Sequence, residues 1–101
     1  VRSPQIRRVF DMGRPVHGRR VVVFVAPGSG QVAVVAARRV GGAVERNRAR
    51  RVLRAAWREI APQVGDDDIV LVARQGIRGA KTQDLVAEMT ELLHREGLVR
   101  T

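Results

Sequence analysis

The sequence contains no cysteine. That absence excludes a disulfide framework, a cysteine-based zinc site and thiol catalysis. It suits a reducing compartment, so a cytoplasmic location is expected. Aromatic residues are scarce, with one Trp, two Phe and no Tyr. The core must therefore be built from Val, Leu, Ile and Ala, and stacking on nucleobases cannot be widespread. Lys81 is the only lysine, so nearly all positive charge sits on arginine. No apolar run approaches the roughly 20 residues that a membrane-spanning helix needs. Arg2, Arg7 and Arg8 are not followed by the apolar stretch of an export signal, and none is expected. His17 and His94 are read as isolated, without metal-ligand spacing to each other or to acids. Gly28-Ser29-Gly30 lacks the length and the lysine of a phosphate-binding loop.

Apolar residues make up 45% of the 101 positions, enough for one core in one domain spanning residues 1–101. The formal net charge is +9, unevenly spread. Residues 1–60 hold 14 arginines against 3 acids, while residues 61–101 hold 5 basic residues against 7 acids. A surplus of this kind repels itself unless a polyanion neutralises it. Arginine presents a planar fork of donors that fits phosphate oxygens and stacks on bases. Nucleic acid is therefore the leading partner, with an anionic membrane surface second.

Residues 3–12 read as a helix, with Ser3 as N-cap, Pro4 in the first turn and Gly13 as its stop. Ile6, Val9 and Phe10 share one face of it. Arg20 to Ala26 and Val32 to Ala37 read as strands around the turn Pro27-Gly28-Ser29-Gly30, and together as an antiparallel hairpin. Neither strand alternates cleanly, so both faces are expected to be at least partly covered. A long helical pattern runs from Ala43 to about Ile60, where Pro62 ends it. Asp66 to Asp68 reads as a polar turn, and Ile69 to Ala73 as a buried central strand. Gln75 to Ala80 is a loop. Thr82 is expected to cap a last helix that Gly97 ends. The pattern is α-β-β-α-β-α, helices on a small sheet.

At about 100° per residue, Ala49, Val52, Leu53, Ala56, Trp57 and Ile60 of the long helix gather on one face. Asn47, Arg50, Arg51, Arg54 and Arg58 gather opposite, flanked by Arg46 and Arg48. Solvated helix faces usually mix signs. Here Arg46/Arg50, Arg50/Arg54 and Arg54/Arg58 are like charges at i, i+4, each costing about 0.2–0.5 kcal/mol. A stripe that destabilises its own helix points to a polyanion. A membrane-surface helix would need its apolar face free for lipid, and this one is committed to the core.

Val40-Gly41-x-Ala43-Val44-x-Arg46-Asn47-Arg48-x-Arg50-Arg51-x-x-Arg54-x-x-x-Arg58 resembles the signature of the bacterial ribonuclease P protein subunit, in which Arg-Asn-Arg follows a Val-Gly-x-Ala-Val run. Ile6 to Gly13 resembles the family's first helix, Asp68 to Arg74 its post-helix strand, and Leu92-Leu93 with Gly97-Leu98 the end of its last helix. The resemblance implies a two-layer α+β sandwich of order α-β-β-β-α-β-α. Its sheet is small and mixed, with a left-handed βαβ crossover, an arrangement also known from a ribosomal-protein domain. A further short strand then falls near Pro15 to Arg19. The resemblance also implies a partner, a catalytic RNA that cleaves the 5′ leader from precursor tRNA. Arg38, Arg39, Arg46, Asn47, Arg48, Arg50, Arg51, Arg54 and Arg58 are the implied RNA-binding residues. A cleft between the arginine helix and the sheet would hold the leader at Ile6, Phe10 and Phe24. This chain departs from the family where Ile6 replaces Phe and Ala55 replaces Glu, and where Ala36 and Ala37 replace small polar residues. From pattern alone, Phe10 and Phe24 also fit a core, and Trp57 sits on the core side of its helix.

Cutting a phosphodiester at neutral pH needs metal ions held by carboxylates, or a general base beside a nucleophile. Asp66-Asp67-Asp68 is the only acidic cluster, and it reads as a turn. No catalytic residue and no metal ligand is expected in this chain, and Mg²⁺ for cleavage is expected to be held mainly by the RNA. Neither a membrane nor a small-molecule substrate is expected. The alternative is a general basic RNA- or DNA-binding module of ribosomal-protein type with no role in cleavage.

Overall fold

The computed structural model describes residues 4–98. Ser3, the expected cap of the first helix, lies outside them. The elements are α1 (Pro4–Met12), β1 (Arg14–His17), β2 (Val21–Ala26), β3 (Val32–Ala36), α2 (Ala43–Ile60), β4 (Asp68–Ala73) and α3 (Thr82–Arg95). Short 3-10 turns occupy Arg38–Val40, Ala61–Gln63 and Gln75–Ile77. The order is the α-β-β-β-α-β-α that the resemblance implied, and β1 is the strand that pattern alone missed. It spans four residues, includes Pro15 and buries only Val16, so it lacks an apolar run to announce it.

The sheet order is β1-β2-β4-β3. β2 pairs with β1 and β4 antiparallel, and β3 pairs with β4 parallel. The expected β2–β3 hairpin is therefore wrong. The two strands do run in opposite directions around residues 27–31, but β4 lies between them. The physical reason is burial. β4 buries all but one of its six residues, which a central position allows, whereas β3 is the half-exposed edge.

Strand alternation sends Val21, Val23 and Val25 of β2, with Ile69, Leu71 and Ala73 of β4, to one face. There they meet Leu53, Trp57 and Ile60 of α2 and Leu85, Met89, Leu92 and Leu93 of α3. This layer pair is the sandwich. On the far face, Val9 of α1 packs on Ala26 and Val70, with Ile6, Phe10, Phe24, Ala33, Val35 and Val72 around them. α1 thus covers one end of that face. Gly13 ends α1 by donating its N–H to the Val9 carbonyl at 2.7 Å, and a Cβ there would strike that same oxygen. α3 begins one residue earlier than expected: Lys81, not Thr82, holds the cap position, and Asp84 accepts its N–H at 2.9 Å.

Candidate nucleic-acid interface

The buried residues of α2 are Ala49, Val52, Leu53, Ala56, Trp57 and Ile60, the same six that the helical wheel selects. With that face fixed, the arginines must project away from the core. Arg51, Arg54 and Arg58 are exposed, as is Asn47; Arg46, Arg48 and Arg50 are half-covered. At the helix start, Glu45 accepts the Gly42 N–H at 2.8 Å, so the one acid of the first turn serves as a cap.

None of these arginines forms an ion pair among the described residues. The three ion pairs there are Arg8–Asp68, Arg14–Glu96 and Arg20–Glu88, all outside α2. Arg50 donates to the Asn47 side-chain oxygen, which aligns both on one ridge. Arg48 differs from the rest. Its guanidinium donates to the Ala80 carbonyl at 2.7 Å and fastens α2 to the loop before α3. Arg38 and Arg39 are exposed in the 3-10 turn that leads into α2, while Val40 beside them is fully buried and anchors that turn.

Ile6, Phe10 and Phe24 come together, but not where the resemblance placed their cleft. They lie on the sheet face opposite α2, beside α1. Phe10 and Phe24 meet edge to face, with ring centroids 4.8 Å apart and planes at 78°. Beyond α1 the same sheet face opens into a groove. Val22, Phe24, Val35 and Val72 line it, and His17, Arg39 and Arg74 stand along it. The sequence signal for this groove is that neither β2 nor β3 alternates cleanly: an apolar residue on the second face must be covered or must bind something. Arg74 was missed because it directly follows the β4 run and carries no periodicity of its own. Its guanidinium donates to the Gly18 carbonyl at 2.8 Å.

Asp68 is no part of a polar turn. It is only 5% exposed, and is the one buried charged residue among those described. Its Oδ1 accepts the N–H groups of Ser29 and Gln31, each at 3.0 Å, and it pairs with Arg8. The Gln31 N–H holds the carboxyl below its ordinary value; burial opposes this, and Ser29, Arg8 and Gly30 add to the lowering. With its oxygens engaged there, Asp68 cannot join Asp66 and Asp67 around a cation. Among the described residues no three His, Asp or Glu side chains are grouped to hold a metal ion.

The family model for Ribonuclease P matches residues 1–97. This chain belongs to the ribonuclease P protein family. Among its relatives, the ribonuclease P protein component of Syntrophomonas wolfei is 33% identical over 100 residues, covering 95% of this chain and 84% of that protein. That of Coprothermobacter proteolyticus is 35% identical over 88 residues, covering 86% and 74%. The fold matches the Staphylococcus aureus RNase P protein with a TM-score of 0.81 at 19% identity, covering 97% of this chain and 94% of that one. The Thermotoga maritima RNase P protein superposes with a TM-score of 0.77 at 21% identity, covering 93% and 98%. Among the described residues no helix is long and apolar enough to cross a membrane.

Proposed function

We propose that this chain acts as one RNA-binding domain in ribonuclease P. It docks on the catalytic RNA through the arginines of α2 and holds the 5′ leader of precursor tRNA in the groove beside α1. Ribozyme and precursor tRNA are both polyanions and repel each other. A protein with cations on one side and a groove on the other offsets part of that repulsion and adds a grip on the leader. The observation that carries this reading is that every α2 arginine lacks an acidic partner among the described residues, although three arginines elsewhere have one. Charge left unneutralised along a single ridge fits a phosphate backbone. Cleavage is assigned to the RNA, and with it the Mg²⁺: among the described residues Asp68, Glu88 and Glu96 sit in ion pairs, Glu45 and Asp84 cap helices, and no three acids or histidines are grouped to hold a metal ion. The reaction is the endonucleolytic removal of the leader during tRNA maturation, and its place is the cytoplasm.

Reconstitution tests this. The protein without RNA should leave precursor tRNA intact. Added to the partner RNA at low magnesium, it should restore leader removal that the RNA alone performs only at higher magnesium. Cleavage by RNA-free protein, or no effect of the protein on the magnesium requirement, would overturn the proposal.

A further inference from the structure

A second opening lies on the α2 side of the sheet, along its free edge. Val32 and Val34 of β3 form one wall, and Arg54, Trp57 and Arg58 from the second half of α2 form the other. β3 is the last strand of the sheet and pairs only with β4 among the described residues, so its outer edge keeps backbone donors and acceptors for another molecule. Val32 is 41% exposed, a large apolar side chain left in solvent beside two arginines. Trp57 is 8% exposed. Most of its ring is core, and the remainder lines this groove. No acid lines the groove, and neither Arg54 nor Arg58 has an ion-pair partner among the described residues.

We propose that this groove takes one unpaired nucleotide of the bound RNA, its base against Val32, Val34 and the uncovered part of Trp57, and its flanking phosphates on Arg54 and Arg58. Four features favour that occupant. The floor is apolar and the rim is purely cationic, the combination that single-stranded nucleic acid selects. The strand edge offers hydrogen bonds to the edge of a base. The opening, about 220 Å³, admits a single base. A paired base cannot enter, because its faces are covered by its neighbours in the helix. The inference rests on the RNA-binding role proposed above for α2 and adds to it: α2 would read an unpaired position as well as phosphate charge.

The composition supplies a clean probe. Trp57 is the only tryptophan and there is no tyrosine, so fluorescence excited in the indole band reports the surroundings of Trp57 alone. The full chain is titrated with two hairpin RNAs, identical except that one carries a single bulged adenosine, and binding is followed separately by anisotropy of a dye on the RNA. The bulged hairpin should bind about tenfold more tightly, within the range for a base resting on an apolar and aromatic surface. It should also produce a saturable fall in Trp57 emission, which the fully paired hairpin should not. Val32→Lys puts a longer side chain across the opening without removing positive charge, at a residue already in solvent. It should abolish both the preference and the emission change, while binding of the paired hairpin stays within about twofold. If both hairpins bind equally, or Trp57 emission ignores the bulge, the nucleotide groove is overturned while the α2 ridge stands. If neither RNA binds, the ridge itself is overturned.

Discussion

Asp68 ties three parts of the chain at one carboxylate: β4 that carries it, the 27–31 loop that donates to it, and Arg8 of α1. Gly28 passes so close that a Cβ there would collide with the carboxyl group, so the loop is moulded over the charge. A carboxyl with a lowered folded pKa contributes stability above its unfolded value of about 3.9 and loses that contribution as pH falls through the folded one. Asp68→Asn keeps an acceptor for the two N–H groups but removes the charge facing Arg8. It should lower the melting temperature at pH 7, and the gap to the unmodified protein should close as pH drops below about 4. A gap that stays constant with pH would show that the charge contributes nothing. Phe24 belongs to the same face, half-buried against Phe10, and its exposed part lines the groove. Phe24→Ala should weaken binding of leader-bearing precursor more than of mature tRNA. Equal losses on both would mark Phe24 as core only.

At the scale of elements, legibility followed how many residues report on one surface. α2 was readable almost to the residue, because eighteen positions repeat at 3.6 and Pro62 closes the pattern. The strand pairing was not. β2, β3 and β4 are all apolar runs without clean alternation, so nothing in them tells a chain neighbour from an inserted strand, and short connections favour the hairpin. Asp68 was hidden because it looks like its neighbours Asp66 and Asp67, and only the tertiary fold separates them. Within α2 the arginines also divide into two kinds that sequence shows as one. Arg46 and Arg50 repel each other at i, i+4, so Arg46→Ala with Arg50→Ala should leave the melting temperature unchanged or slightly raised, while RNA affinity falls about tenfold or more. Arg48 is held by the Ala80 carbonyl. Arg48→Ala should cost about 1.5–3 kcal/mol in urea unfolding, the range for a hydrogen bond from a charged donor. A stable Arg48→Ala protein with a large RNA defect would return Arg48 to the ridge.

Over the whole molecule, the charge asymmetry of the sequence becomes an asymmetry of surfaces. Among the described residues, ion pairs are confined to Arg8, Arg14 and Arg20, which join α1, β1 and the β1–β2 turn to Asp68 of β4, Glu96 just past α3 and Glu88 of α3. The α2 arginines have no such partners, and the sheet stands between them and the groove beside α1. Two separate surfaces should respond to salt differently. Binding by phosphate contacts releases counterions and gives a log-log slope of about 0.7–0.9 per contact. With about five contacts along α2, affinity for the catalytic RNA should fall with a slope near −4. The Arg46→Ala, Arg50→Ala protein should lose about 1.5 from the magnitude of that slope. Phe24→Ala should leave it unchanged, because an apolar contact releases no counterions, even while leader discrimination drops. Both quantities come from one salt series measured on precursor and mature tRNA with the assembled RNA–protein complex and with the RNA–protein pair alone. If Phe24→Ala flattened the slope as much as the arginine pair does, the two faces would be one electrostatic surface, and the division of labour between ridge and groove would fail.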